Sequence, residues 1–240
     1  MMDGLKMYRT SRLPGFHKLP PEERLRIVKE FAGLSDEEAE ILSSMGGLSL
    51  ERADTMIENV VGGIALPLGV AVNFLINGRD YIVPMAIEEP SVVAAASNAA
   101  KMARSKGGFH TSHTDPVMIG QIQVLDLKDP YQARERILAS KEEVLEKANE
   151  QDPILVSLGG GAKDLGAKVI ETIKGPMLIV ELYIDCRDAT GANAVNTAAE
   201  VVAPIIERVT GGRVVLRILS NLADRRLARA RTVIPMEVLA

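Results

Sequence analysis

Two adjacent carboxylates, Glu88 and Glu89, stand in MAIEEPSVVAAAS between an apolar run and a proline. Charge set against so much apolar surface is unfavourable unless something uses it. Carboxyl groups are among the side chains that can carry protons in active sites. A second stretch, DCRDATGANAVNT, puts Asp188 and Asn193 on either side of Thr190-Gly191, where a strand hands over to a helix. The first amides of such a helix are free, and its dipole favours an anion such as a phosphate. Asp188 could equally be a plain helix cap.

Other candidates carry less. LGGGAKD, residues 158 to 164, lacks the lysine-serine/threonine ending of a P-loop and reads as a flexible loop. His110 and His113 have no cysteine or carboxylate cluster beside them, so no metal site is expected. Arg225, Arg226, Arg229 and Arg231 read as a solvated helix face. The chain has neither a G-x-S-x-G elbow nor a G-x-G-x-x-G turn after a strand.

The elements that must position these residues fall into two groups. The first third reads as helical. Ser35 and Glu38 predict a capping box in LSDEEAEIL. Ala53, Met56, Ile57 and Val60 in LERADTMIENV predict an apolar helical stripe that packs in a core. Next comes a hairpin, VAVNFLI and RDYIVPMAI around Asn77-Gly78, a pair suited to a two-residue turn with positive φ at both positions. The second strand should end at Ile87, and Pro90 should open an alanine-rich helix that Gly107-Gly108 stops. Glu88 and Glu89 then sit at a strand-to-helix junction.

From residue 110 the pattern changes. MIGQIQVLDL, AKVIETI, MLIVELYIDC and RVVLRIL read as strands. DPYQARERILASKEEVLEKAN and NAVNTAAEVVAPIIERVTGG read as helices. Their succession, β-α-β-β-α-β, is the split βαβ of ferredoxin-like domains. The expected fold is α+β: a large, mainly helical domain with a β-hairpin, interrupted by an inserted ferredoxin-like domain. The large domain takes residues 1–110, the insertion 111–221, and 222–240 return to the large domain.

Composition limits the function classes. A net charge of −4 with interspersed signs gives no footprint for nucleic acid. The apolar runs are too short for a membrane span, and MMDGLKMYRTSRLPGF has no signal-peptide core. The single cysteine, Cys186, excludes an internal disulfide framework and fits a reducing cytoplasm.

ENVVGG, PMAIEEPSVVAAAS, SLGGG, DCRDATGANAVNT and ILSNLADRRLARA, in this order, resemble class II hydroxymethylglutaryl-CoA (HMG-CoA) reductases. The likeness runs from RLPGF at residue 12 to near the C-terminus, so the chain resembles the N-terminal half of such an enzyme. It implies a four-electron, NAD(P)H-dependent reduction of the HMG-CoA thioester to mevalonate and CoA, or the reverse, through mevaldyl-CoA and mevaldehyde. Matched to the family motif, Glu89 is the catalytic acid, expected to be buried, and Glu88 its less essential neighbour. Ser91 matches a substrate-binding position, and Glu58 and Asn59 support the site near a dimer interface. Asp188, Gly191 and Asn193 match the cofactor motif, with Thr190 where the family usually has methionine. Asp152 matches a position that chooses the cofactor. A carboxylate there accepts from a ribose 2′-hydroxyl and repels a 2′-phosphate, which favours NADH, with NADPH as the alternative.

The resemblance also implies a cytoplasmic homodimer, or a multiple of dimers, with no membrane or nucleic-acid partner. The family's catalytic lysine, aspartate and CoA-side histidine lie downstream of Ala240, so the 240 residues alone are expected to be inactive. Two alternatives stay open: one half of a split reductase, and a non-catalytic nucleotide-binding and dimerisation module.

Overall fold

The computed structural model describes residues 10–44 and 47–239. The first nine residues of MMDGLKMYRTSRLPGF, on which the signal-peptide expectation rests, lie outside the described residues. The chain mixes helix and sheet in an α+β arrangement and divides into two compact units. One is Met1–Thr111 with Ala230–Ala240, the other Ser112–Arg229. The second unit thus runs past the joint expected near residue 221.

The first unit opens with α1 (Pro21–Ala32), which has proline in its first turn, and α2 (Asp36–Ser43). The capping box of α2 forms as expected. Glu38 N–H donates to Ser35 Oγ at 3.1 Å, and Ser35 N–H donates to Glu38 Oε2 at 2.7 Å. α3 is shorter than expected, Leu50–Asp54, and only Ala53 of its stripe is buried. Met56 and Ile57 are 66% and 64% exposed, which corrects the expectation that they pack in a core. The Thr55 hydroxyl donates to the Arg52 carbonyl at 2.8 Å, a local bond that competes with continuing the helix.

The hairpin of β1 (Leu68–Ile76) and β2 (Arg79–Ala86) turns at Asn77 and Gly78, with φ of 49° and 79°. Both values are positive, as a type I′ turn needs. α4 (Pro90–Ala103) packs on β1. Ala100 and Ala103 are fully buried, and their small side chains let the helix come close. Ser97 Oγ accepts from Val72 N–H at 3.1 Å, and Asn73 Nδ2 donates to the Ser97 carbonyl at 3.0 Å. These bonds fasten the helix to β1 at its bulge between Ala71 and Phe74.

One carboxylate ties this unit together. Asp80 Oδ1 accepts from Arg104 Nη1 at 2.7 Å, from Ser11 N–H at 2.7 Å and from Ser11 Oγ at 2.7 Å. Burial alone would raise the Asp80 carboxyl. The bonds from Arg104 and Ser11 outweigh burial and hold its pKa at about 2.

The chain enters the second unit through β3 (His110–His113). Next come β4 (Val117–Leu125), α5 (Pro130–Ala139), α6 (Lys141–Asn149) and the short α7 (Pro153–Ser157). β5 (Gly161–Ile170), β6 (Met177–Asp185), α8 (Ala192–Thr210) and β7 (Arg213–Leu219) complete it. The segment expected as one helix breaks at Ser140 into α5 and α6, and β5 begins well before the expected strand at AKVIETI.

The sheet order is β5-β6-β4-β7, and every neighbouring pair is antiparallel. Helices cover one face. Ile137, Val144, Val195, Val202 and Ile206 from the helices are fully buried, as are Ile122, Leu178, Val180 and Leu182 from the sheet. Each such side chain stabilises the unit by ~1.5–3 kcal/mol relative to exposure. β8 (Ala228–Arg231) pairs with β3, and α9 (Met236–Leu239) is the last element described. Arg225 and Arg226 lie in a turn and Arg229 and Arg231 on a strand, which corrects the helix expected for them. Among the described residues no helix is long and apolar enough to cross a membrane.

The Asp80 contact sets a testable acid limb. Its folded pKa lies below the ordinary carboxyl value of 3.8. Its contribution is therefore complete above pH 4 and is lost as pH falls towards 2. Asp80→Asn should unfold in urea with a stability lower by ~1.5–3 kcal/mol at pH 7, and the gap should close by pH 2. A gap that does not vary with pH would show that the charge plays no part.

Candidate functional sites in the two units

In the first unit the two carboxylates come directly after β2. Ile87, expected as the last strand residue, instead adopts φ of 70°. A β-branched side chain seldom tolerates this left-handed region, and holding it there costs ~1–3 kcal/mol. Its N–H donates to the Pro67 carbonyl at 3.2 Å, which anchors the turn. Glu89 is the N-cap residue of α4, but its side chain caps no amide. Its Oε1 accepts instead from Ser91 Oγ at 2.6 Å.

Glu88, Glu89 and Ser91 are all exposed, so the buried acid expected at Glu89 is not what this unit provides on its own. The extended backbone of the cap, ψ 159°, carries the side chain out beyond the helix end. Glu58 and Asn59 are exposed as well, in an irregular segment where Asn59 takes φ of 58°. Among the described residues no side-chain hydrogen bond involves either of them.

In the second unit, Asp152 and Asn193 come together. Both line a cavity of about 250 Å³ with Asn149, Gly161, Ala162, Ala194 and Thr197 among its walls. Asp152 caps α7, its Oδ1 accepting from Leu155 N–H at 2.8 Å. Asn149 clamps the start of β5. It donates through Nδ2 to the Ala162 carbonyl at 3.2 Å and accepts at Oδ1 from Ala162 N–H at 2.7 Å. The LGGGAKD stretch closes α7 and opens β5, in place of the flexible loop expected. Gly159 and Gly160 donate to the carbonyls of Val156 and Leu155, so their amides are spent on closing α7 and cannot cradle a phosphate. A Cβ at Gly161 would lie 2.5 Å from Asn149 Oδ1.

Above the cavity, α8 starts without a side-chain cap at Gly191, φ 87°. The cap role left open for Asp188 is therefore excluded: Asp188 is exposed, and the cap is a glycine. No other residue fits, because a Cβ at 191 would stand 2.3 Å from Cys186 Sγ. Cys186 is fully buried, and burial pushes its thiol up, which suits packing and not nucleophilic work. The first amides of α8 thus remain free beside the cavity. Neither Asp188 nor Gly191 lines the cavity itself.

The loop between β6 and α8 is held by arginines that sequence reasoning passed over. Arg187, φ 51°, pairs with the buried Asp185 at 3.2 Å and donates to the Gly159 carbonyl. Arg226 donates to the carbonyls of Ala189 and Arg187 at 2.8 and 3.1 Å. Arg225 stacks over the Tyr183 ring at 4.1 Å. The alanine and leucine spacing of residues 223–230 imitates a helix, and that hid these roles. Asn149 and Thr197 carried no signal in the sequence. Among the described residues no cluster of histidine, cysteine or carboxylate could hold a metal ion.

Comparison with known proteins places this geometry. A family model for hydroxymethylglutaryl-coenzyme A reductase matches residues 20–240. A 3-hydroxy-3-methylglutaryl-coenzyme A reductase of Archaeoglobus fulgidus is 62% identical over 96% of this chain and 52% of its own length. A probable reductase of Borreliella burgdorferi is 34% identical over 77% of this chain and 41% of its own. A reductase of Streptococcus pneumoniae superposes with a TM-score of 0.86 at 39% identity, covering 95% of this chain and 61% of that one. A class II reductase structure from the same organism, described as bound to NADPH, gives 0.87 at 39% identity, with the same coverage. The chain spans about half the length of the curated relatives it matches.

The fit at Gly191 is testable without any ligand. Gly191→Ala adds both a clash with Cys186 and a strained φ, and should destabilise the second unit by ~2–4 kcal/mol. Differential scanning calorimetry reads this directly, and an unchanged transition would contradict the packing described.

Proposed function

Since the chain belongs to the hydroxymethylglutaryl-coenzyme A reductase family, we propose that it supplies the proton-transfer residue and the nicotinamide-binding unit of that enzyme. The reaction is the four-electron reduction of the HMG-CoA thioester to mevalonate and CoA, or its reverse. What carries the reading is the meeting of Asp152 and Asn193, far apart in sequence, at one cavity beside the free amides of α8.

The second unit is the cofactor domain and is ferredoxin-like. Its β-α-β-β-α-β succession and its sheet order, with the first and third strands adjacent at the centre, support that assignment. The cavity, about 250 Å³, is smaller than the ~300–1,000 Å³ that encloses a whole small ligand. It suits one nucleoside end of a dinucleotide, with the diphosphate at the α8 terminus. When bound, NADH or NADPH supplies hydride.

Asp152 orients the adenosine ribose. One carboxylate oxygen caps α7, and the other is left to accept from a 2′-hydroxyl. Cofactor choice therefore leans to NADH. The pneumococcal relative is described as bound to NADPH, so NADPH is the alternative.

In the first unit Glu89 exchanges the proton that each newly formed alkoxide needs. Ser91 fixes the Glu89 carboxyl through its 2.6 Å bond and binds the hydroxymethylglutaryl end of the substrate. Glu58 and Asn59 support the site at an interface with a second copy. The apolar segment around them supports a homodimer, with Val61 and Ile64 99% and 91% exposed. Burial of Glu89 then comes from assembly and not from the single chain.

Two measurements test this. In the protein as its gene encodes it, Glu89→Gln should lower turnover of HMG-CoA ~10²–10⁴-fold while NAD(P)H still binds. Retained turnover would remove Glu89 from the chemistry. For cofactor choice, wild type should bind NADH more tightly than NADPH. Asp152→Asn keeps an oxygen to cap α7 but loses the charge, and should narrow the ratio. Equal affinities in wild type would refute the NADH preference.

A further inference from the structure

We propose that Arg226 is a positioning residue for the dinucleotide, aiming two backbone amides of the β6–α8 loop at its diphosphate. The inference rests on the reading that the second unit binds the nicotinamide cofactor.

Arg226 is half-buried, and its guanidinium spans two carbonyls of the loop, Ala189 at 2.8 Å and Arg187 at 3.1 Å. The carbonyl and the N–H of a trans peptide plane point in opposite directions. Fixing the Arg187 carbonyl therefore turns the Asp188 amide away from Arg226, and fixing the Ala189 carbonyl does the same for the Thr190 amide. Among the described residues neither of these amides donates to any acceptor, whereas Ala189 N–H closes the turn on the Cys186 carbonyl at 3.1 Å. The loop thus presents Asp188 N–H and Thr190 N–H in series with the free amides of α8. Successive amides of this kind form an anion-binding concavity.

The rest of the loop's surroundings leave that task to Arg226. Arg187 is spent on Asp185 and the Gly159 carbonyl. Cys186 N–H is tied to the Pro116 carbonyl at 3.1 Å, so the loop is fixed at its β6 end independently of Arg226. At its α8 end Gly191 lies against Cys186, so close that an added Cβ would stand 2.3 Å from Sγ. Between these anchors the Ala189 N–H bond holds the 188–189 plane, and the two planes that carry the Asp188 and Thr190 amides have their carbonyls held by Arg226. The role is orientation, because the guanidinium is committed to the carbonyls and does not itself need to reach the phosphate.

The test is fluorescence titration of NADH and of NADPH with purified protein, alongside thermal unfolding. Arg226→Ala should weaken both cofactors ~10-fold or more and in parallel, because the diphosphate is common to both. Asp152→Asn, by contrast, should change their ratio. Arg226→Lys keeps the charge but replaces the two-nitrogen fork with one ammonium that cannot keep both carbonyls at their present spacing, so it should fall between wild type and alanine, with an unfolding midpoint close to wild type. It also serves as the folded test if the alanine variant does not fold. Arg229→Ala, on the exposed strand β8, should change neither affinity.

Wild-type affinity retained in Arg226→Lys would overturn the proposal. So would a change in the cofactor ratio without parallel weakening. Wild type that binds neither NADH nor NADPH would instead refute the cofactor reading itself, which keeps the two failures apart.

Discussion

Two of the strand-to-helix handovers, β2 to α4 and β6 to α8, carry the candidate residues, and both depend on backbone in the left-handed region. At Ile87 the residue is β-branched, so the conformation is strained and has to be imposed by its surroundings. At Gly191 it is unstrained, but the space is so limited by Cys186 that only glycine fits. Each reversal fixes the start of the helix after it. The first sets Glu88 and Glu89 at the head of α4, and the second leaves the head of α8 uncapped. Neither helix start is closed by a capping side chain, so the first amides of both are left to other partners.

Polar bonds, not apolar burial, hold these turns. In the first unit Arg104 and Ser11 converge on Asp80 and fix the hairpin that leads to Ile87. In the second, Arg226 fastens the loop by its carbonyls, and Arg187 ties it to the carbonyl of Gly159. The pattern has a chemical cause. Turns expose backbone groups that an apolar side chain cannot satisfy, and arginine offers several donors in a rigid fork. These arginines are distant in sequence from the backbone they hold, so they cannot be found by reading the motif alone.

Legibility in the sequence depends on the range of the interactions involved. The Ser35–Glu38 box, the Asn77-Gly78 turn, Pro90 at a helix start and the β-α-β-β-α-β succession are legible, because each is decided within a few residues. Met56 and Ile57 mislead, since helical spacing records only that apolar residues share a face and not what covers it. The glycines of LGGGAKD mislead in the opposite sense. They read as freedom, yet they are there because Leu155, Asn149 and Arg187 crowd them. The arginines after residue 224 imitate a helix face until the backbone carbonyls of a loop far upstream are in view. Family motifs bring Asp152 and Asn193 together on paper, but their shared cavity cannot be read from spacing.

The unequal interiors of the two units bear on Glu89. The second unit closes a continuous core between its sheet and the helices that cover one face. The first has a small core of Phe16, Ile27 and Val72, and leaves Met56, Ile57, Val61, Ile64, Leu66 and Leu68 exposed in one stretch. Exposed apolar runs of that kind mark interaction surfaces or ligand grooves in folded proteins. A carboxylate in water gains little from its neighbours, since solvent screens them, and the same group becomes effective once water is excluded. Ser91 fixes the Glu89 carboxyl within the first unit, while the acid stays in water on a unit whose apolar run is uncovered; under the proposed reading, exclusion of water at Glu89 therefore has to come from outside the unit.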